Sequence, residues 1–303
     1  MPLLTDSGLE TWLVFHRGVE LQDFAAFTLL DDDDGREILA EYFRAHLGIA
    51  SRAGAGLVLE TPTWRASLDW GARLGYDAAA LDRVNRAAVA LLRELGREFD
   101  GVGLIVSGNL GPRGDGYAPD QLLTPDEAAS YHRAQIDSFA AAGADRVTML
   151  TATHFGEAIG VVRAAVDVGV PVVIAFTVET DGRLPSDQPL HEAITELDAA
   201  TGGAALHLGI NCAHPDHFTA ALDADHAATA RIGLLRANAS RASHAELDEA
   251  EELDDGDPDE LANLYARLLH RHPHLEVLGG CCGTDARHVE AIARACIPAG
   301  RPR

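Results

Sequence analysis

Short apolar, β-rich segments alternate along the chain with longer segments of helical pattern. The strand candidates are Leu3–Asp6, Gly56–Thr61, Val102–Gly108, Arg146–Thr151, Val170–Val178, Ala205–Cys212, Arg231–Ala237 and Leu275–Gly280. Helical periodicity marks Arg36–Ala53, Ala78–Glu98, Pro125–Ala142, Glu157–Val168, Leu190–Ala200, Pro215–Ala227, Pro258–His270 and Asp285–Cys296. Several helices carry start signals. Thr124-Pro125-Asp126-Glu127 sets a capping hydroxyl before a proline and two acids, and Asp257-Pro258 and Thr284-Asp285 are weaker forms.

Strand and helix in strict alternation imply a parallel sheet. Eight such units in 303 residues predict a closed (β/α)8 TIM barrel, with residues 1–303 forming one domain, because no linker rich in Pro, Ser or Gly interrupts them. An open doubly wound sheet is the alternative. No Gly-x-Gly-x-x-Gly follows the first strand, so a dinucleotide-binding domain has no support.

Composition narrows the partners. Hydrophobic residues make up 47% of the chain, enough for a large core, yet no uninterrupted apolar run of about 18 residues suggests a membrane helix. The start, MPLLTDSGLETW, lacks the basic and apolar regions of a signal peptide. With only 4 cysteines, reduced thiols in the cytoplasm are expected. A net charge of -23 argues against nucleic acid and anionic membranes as partners. Much of that charge sits at Asp31–Asp34 and Glu246–Glu260, which read as solvated surface. A salt-adapted proteome would give the same bias.

The chemistry gathers at Leu278-Gly279-Gly280-Cys281-Cys282-Gly283-Thr284. Adjacent cysteines can be packing residues, a strained vicinal disulfide or metal ligands. Neighbours in a strand point to opposite faces, so the backbone must turn for both sulfurs to meet one ion, and Gly279, Gly280 and Gly283 permit that turn. The barrel tips the balance. Its active sites form where strands end, and Cys212 ends the sixth strand while Cys281 and Cys282 follow the eighth. Three cysteines on one rim point to a metal, and three thiolates with one open position mark catalytic zinc. Cys296, on the last helix, reads as a packed thiol.

Gly209-Ile210-Asn211-Cys212 and Gly279-Gly280-Cys281-Cys282 resemble the zinc-dependent homocysteine S-methyltransferase family. The resemblance extends to Asp6-Ser7-Gly8, Thr61-Pro62-Thr63-Trp64-Arg65-Ala66-Ser67, Ser107-Gly108-Asn109-Leu110-Gly111-Pro112 and Phe176-Thr177-Val178. It implies Zn2+ on Cys212, Cys281 and Cys282. Asp6 and the backbone near Ser7 and Gly8 would then hold the amino-acid end of the substrate. Asn211 would orient near the metal, and Thr61, Thr63 and Trp64 would line the pocket.

A thiol completing such a zinc site loses its proton and can attack a methyl group held in line. The implied reaction moves a methyl group from a small cationic donor (S-methylmethionine, S-adenosylmethionine or a betaine) to homocysteine, giving methionine. Trp12, Phe15, Trp64, Trp70 and Tyr76 are candidates for aromatic faces around the cation. Leu150 stands where the family carries a glutamate for the substrate ammonium. Either Glu60 or Glu179 takes over that charge, or the acceptor is another thiol. A zinc hydrolase, and a binder whose structural zinc takes a fourth ligand from His207, His214 or His217, are the competing readings. The expected partners are a small-molecule thiol and methyl donor; a folate or corrinoid partner on another chain, and homo-oligomerisation, stay open.

Overall fold

Strands buried at nearly every position need cover on both faces, and a closed barrel wrapped in helices supplies it. In the computed structural model the strands are β1 Leu3–Thr5, β2 Leu57–Glu60, β3 Leu104–Leu110, β4 Arg146–Ala152, β5 Val172–Phe176, β6 Leu208–Asn211, β7 Ile232–Ala237 and β8 Val277–Gly280. They pair in sequence order, all parallel, and β8 closes on β1 through Leu3↔Val277 and Leu4↔Leu278. The predicted (β/α)8 barrel is therefore the fold. The structure describes residues 1–117, 119, 122–224 and 226–298. One position of the predicted helix 215–227 and the last five of the predicted 1–303 domain lie outside the described residues.

The outer helices are α1 Asp33–Ala53, α2 Ala78–Gly96, α3 Pro125–Ala141, α4 Phe155–Val168, α5 Leu190–Thr201, α6 Pro215–Ala224, α7 Pro258–Arg271 and α8 Ala286–Cys296. Caps explain their boundaries. Thr124 and Glu127 form the reciprocal capping box expected at α3. The Asp32 side chain accepts from Gly35 N at 2.7 Å, so α1 begins three residues earlier than its periodicity indicates. The Asp31–Asp34 run is thus partly a helix cap, and Asp31 also accepts from the Tyr76 hydroxyl and Arg83. None of the helices among the described residues is long and apolar enough to cross a membrane.

The main apolar core lies between barrel and helices. A smaller cluster of Val58, Leu150, Val173, Ala175, Leu234 and Val277 fills the barrel itself, so the interior is packed and not a pore. Each Val or Leu among them contributes about 1.5–3 kcal/mol by leaving water. Above the interior cluster come charged layers, Glu60 with Arg146 at 3.6 Å and Asp6 with Arg236. The segments after β1, β2 and β7 carry extra helical turns at 9–16, 22–31, 68–73 and 244–248. The turns at 9–16, 22–31 and 244–248 rise on the C-terminal rim and help wall a cavity there.

Candidate active site

The rim departs from regular strand geometry where the chemistry sits. Cys212 follows the last residue of β6 and takes a left-handed backbone, φ 54°. Thr151, near the end of β4, does the same at φ 63°. Such conformations cost about 1–3 kcal/mol in non-glycine residues and persist only where neighbours hold them. Asn211 holds Thr151, accepting from its backbone N at 2.8 Å and donating to its Oγ1 at 3.0 Å. Cys212 is held by its N–H on Arg236 O at 3.1 Å and by His244 Nε2 on its carbonyl at 2.6 Å. This turn is why the predicted strand Ala205–Cys212 stops at Asn211.

The vicinal cysteines converge through a different turn. Gly279 and Gly280 remain in β8; a Cβ on Gly279 would lie 2.4 Å from Thr5 Cγ2, so Gly279 lets β1 approach closely. The turn itself belongs to Gly283, φ 78°. It is tied by Thr284 N and Oγ1 on Cys281 O at 3.0 and 2.6 Å and by Gly283 N on Thr11 Oγ1 at 3.1 Å. The result brings the sulfurs of Cys212, Cys281 and Cys282 within 4.8 Å of one another. Cys212 Sγ is 2.6 Å from Cys281 Sγ and 3.8 Å from Cys282 Sγ. All four cysteines are free.

Three sulfurs this close cannot all ionise unaided. The hydrogen bonds from Cys212 and Cys282, with the nearby Arg236 charge, hold Cys281 well below the ordinary thiol range. The same contacts push Cys212 and Cys282 up. The contacts thus favour charge on Cys281 and disfavour it on its two neighbours. A dication cancels that repulsion, and an all-sulfur donor set suits a soft or borderline metal, so the residues present fit one. Among the described residues no histidine or carboxylate joins the three sulfurs. His207 lies at the opposite end of the barrel against Glu276, 3.2 Å away. His214 and His217 pack on one another and bond to Asp216 and Arg241. The three histidines offered as a fourth ligand are therefore elsewhere.

The sulfurs open into a cavity of about 270 Å³. Asp6, Gly8, Glu60, Thr61, Trp64 and Asn211 line it, as does Leu150. Thr63 does not: it is fully buried behind Thr61, bonded to Thr61 Oγ1 at 2.6 Å and to Asn109 O at 2.9 Å. Glu179 also lies outside, because the chain beyond β5 carries it to His244 Nδ1 at 2.9 Å. Of the five aromatic candidates, Phe15 and Trp64 reach the cavity. Trp12 packs on Tyr42, Trp70 is covered by Arg65 and Arg73, and Tyr76 packs on Phe27. The Trp64 face is itself covered by the Arg65 guanidinium at 3.9 Å. Cys296 is buried in the last helix, its thiol pushed up to about 11 by burial.

Several cavity residues are not among those singled out from the sequence. Tyr117 comes from the segment after β3; its hydroxyl is 3.5 Å from Cys212 Sγ and 3.7 Å from Cys282 Sγ, and its ring stacks on His244. Arg236, in β7, donates to Asp6, to Thr5 Oγ1 at 3.0 Å and to Ser7 O at 3.0 Å. Burial alone would lower its guanidinium, but the fields of Asp6, Cys281 and Glu60 outweigh that and hold it charged. Part of the second acidic run, Asp248 to Asp254, lines the mouth instead of facing bulk water alone. Glu10, in the turn after β1, lines the cavity too, and burial pushes its carboxyl up to about 7.

That shift has a measurable sign. Folding favours protonated Glu10, so its contribution is fully present below the unfolded value near 4.5 and is lost as pH rises through about 7. Metal-free Glu10→Gln protein should be more stable than wild type at pH 8 by about 1–3 kcal/mol, with the gap closing toward pH 4. Denaturant unfolding at the two pH values checks this; an equal gap at both would refute it.

A parallel barrel whose C-terminal rim gathers three thiols at a ligand-sized cavity defines a metal-ready, thiol-handling enzyme scaffold. The family profile described as homocysteine S-methyltransferase matches residues 3–296, and the chain belongs to that family of methyltransferases. A comparison with curated proteins found no match. Among solved structures, the Escherichia coli homocysteine methyltransferase MmuM is similar in fold. Its oxidized form has a TM-score of 0.78 at 22% identity, covering 97% of this chain and 95% of that one. Its metallated form has 0.78 at 21%, covering 97% and 96%. At such identities the likeness speaks for the barrel alone.

Proposed function

We propose that the protein is a zinc-dependent thiol S-methyltransferase, with homocysteine as acceptor and a small cationic compound as methyl donor. The convergence of Cys212, Cys281 and Cys282 at the floor of the cavity carries this reading. These three residues would hold the zinc, which when bound supplies the charge that keeps an acceptor sulfur deprotonated at neutral pH.

The chain's own residues do the remainder. Asn211 fixes the bend at Thr151 and sets its Nδ2 3.8 Å from Cys281 Sγ, steadying that sulfur. His244, itself braced by Glu179, locks the Cys212 backbone, so Glu179 acts through the fold and not on the substrate. Tyr117 covers two of the sulfurs and keeps bulk water from one side. Leu9, Phe15, Trp64 and Leu150 give the cavity apolar walls, while Glu10 and the acidic mouth favour a positively charged ligand. Most of the rate gain would come from holding thiolate and methyl carbon in line. The free thiols fit a reducing cytoplasm.

Zinc-loaded protein incubated with homocysteine and with S-methylmethionine, S-adenosylmethionine or betaine should yield methionine, scored by mass. No transfer from any of the three donors to homocysteine or to simpler thiols would overturn the reading.

A further inference from the structure

Besides Asp115 and the acids of the mouth from Asp248 to Asp254, four carboxylates could answer a positive charge near the sulfurs, and the structure separates them. Asp6 is bonded to Arg236. Glu60 is 3% exposed, its two oxygens are closed off, and Arg146 lies 3.6 Å from it. Glu179 bonds to His244 away from the cavity. Glu10 differs from all three. It lines the cavity, and among the described residues no side chain hydrogen-bonds to it. No cation pairs with it among the described residues.

A second feature belongs to the same end of the cavity. Arg236, 4% exposed, satisfies its terminal nitrogens on Asp6, Thr5 and Ser7 but leaves Nε without a partner. With Asp6 neutralised by that guanidinium, an ammonium brought to Asp6 would also meet Arg236. Glu10 offers a negative charge with no such competitor. Glu10 is only half-buried, and a carboxylate partly withdrawn from water and left unpaired carries a cost that a cation in the cavity would relieve.

We propose that Glu10 is the cation-binding residue of this cavity, pairing with a positive group that a substrate carries to the sulfurs. That group is either the ammonium of an amino-acid thiol or the onium centre of the methyl donor. Both present the same chemistry to the carboxylate. The proposal rests on the methyl-transfer reading for the identity of the ligands, but not for the existence of the site. Leu150 fits it: the strand-four wall is apolar here, and the charge comes from the turn after β1 instead.

The test is Glu10→Gln in metal-loaded protein, with calorimetric binding of three probes: L-homocysteine, γ-sulfanylbutanoate (the same thiol without the amino group) and trimethylsulfonium. If the acceptor ammonium is the partner, homocysteine should weaken at least about tenfold while γ-sulfanylbutanoate is unchanged. If the donor is the partner, trimethylsulfonium should weaken by that factor and both thiols should not. Affinities within about twofold of wild type for all three probes would overturn the proposal. So would equal weakening of both thiols, or an effect from Glu60→Gln in place of Glu10→Gln. Glu10→Asp should recover part of the lost affinity, which a merely structural role would not produce. If the contrast holds but no methyl transfer occurs, the functional reading fails and the cation site stands. If transfer occurs but the contrast vanishes, only this inference falls.

Discussion

Replacing any one of Cys212, Cys281 and Cys282 by alanine is expected to strip the bound metal and lower methyl transfer at least about 10³-fold, roughly 4 kcal/mol of transition-state stabilisation. Two sulfurs leave half a tetrahedron, and the acceptor thiol then lacks the charge that removes its proton. The barrel should survive. The turn at Cys281–Thr284 is held by backbone bonds, including Cys281 N on Ala237 O at 2.8 Å and Ala239 N on Cys282 O at 3.1 Å. Cys282 is the most informative position, because it is only partly buried and its loss disturbs packing least. Metal content by mass spectrometry, thermal unfolding and activity should be read together. A Cys282→Ala protein with full metal and full activity would sink the assignment. Cys296→Ala serves as control and should keep both.

Arg236→Met is expected to cost about 3–5 kcal/mol of stability, the usual range for stripping one partner from a buried ion pair. The guanidinium answers Asp6 directly and lies in the field of Glu60 and Cys281, so its removal leaves several negative groups in the barrel mouth uncompensated. Adding Asp6→Asn should recover much of the loss, since the remaining amide needs no counter-charge. Denaturant unfolding of the two single variants and the double variant gives the coupling. A cost below about 1 kcal/mol for Arg236→Met would show that water already screens the pair.

The barrel and the cysteine cluster were legible because both follow from spacing. Parallel strands recur in register with their helices, and strand ends fall on one rim, so Cys212, Cys281 and Cys282 could be placed together from position alone. Residues whose role depends on side-chain reach were not legible. Tyr117 arrives from a segment without periodicity and meets a sulfur 95 residues away. Glu10 sits in a one-turn helix beside a π-turn, where no apolar pattern reveals which side faces inward. Glu179 was harder to read for the opposite reason: it follows a strand end, but its carboxylate is taken up by His244 on the rim and does not face the cavity. Arg146 and Arg236 did carry a signal. Arginines inside strands that read as apolar require buried acids, and Glu60 and Asp6 are those acids.

The barrel seam governs when the metal site can exist during synthesis. Cys212 and Cys281 are 69 residues apart, and β8 must zip onto β1, the first strand made, before the vicinal pair reaches its place. At ribosomal speeds that interval is roughly 3–14 s. A nascent chain therefore exposes its first sulfur, and an unpaired β1 edge, well before either has a partner. The three sulfurs thus come together only in a barrel already shut.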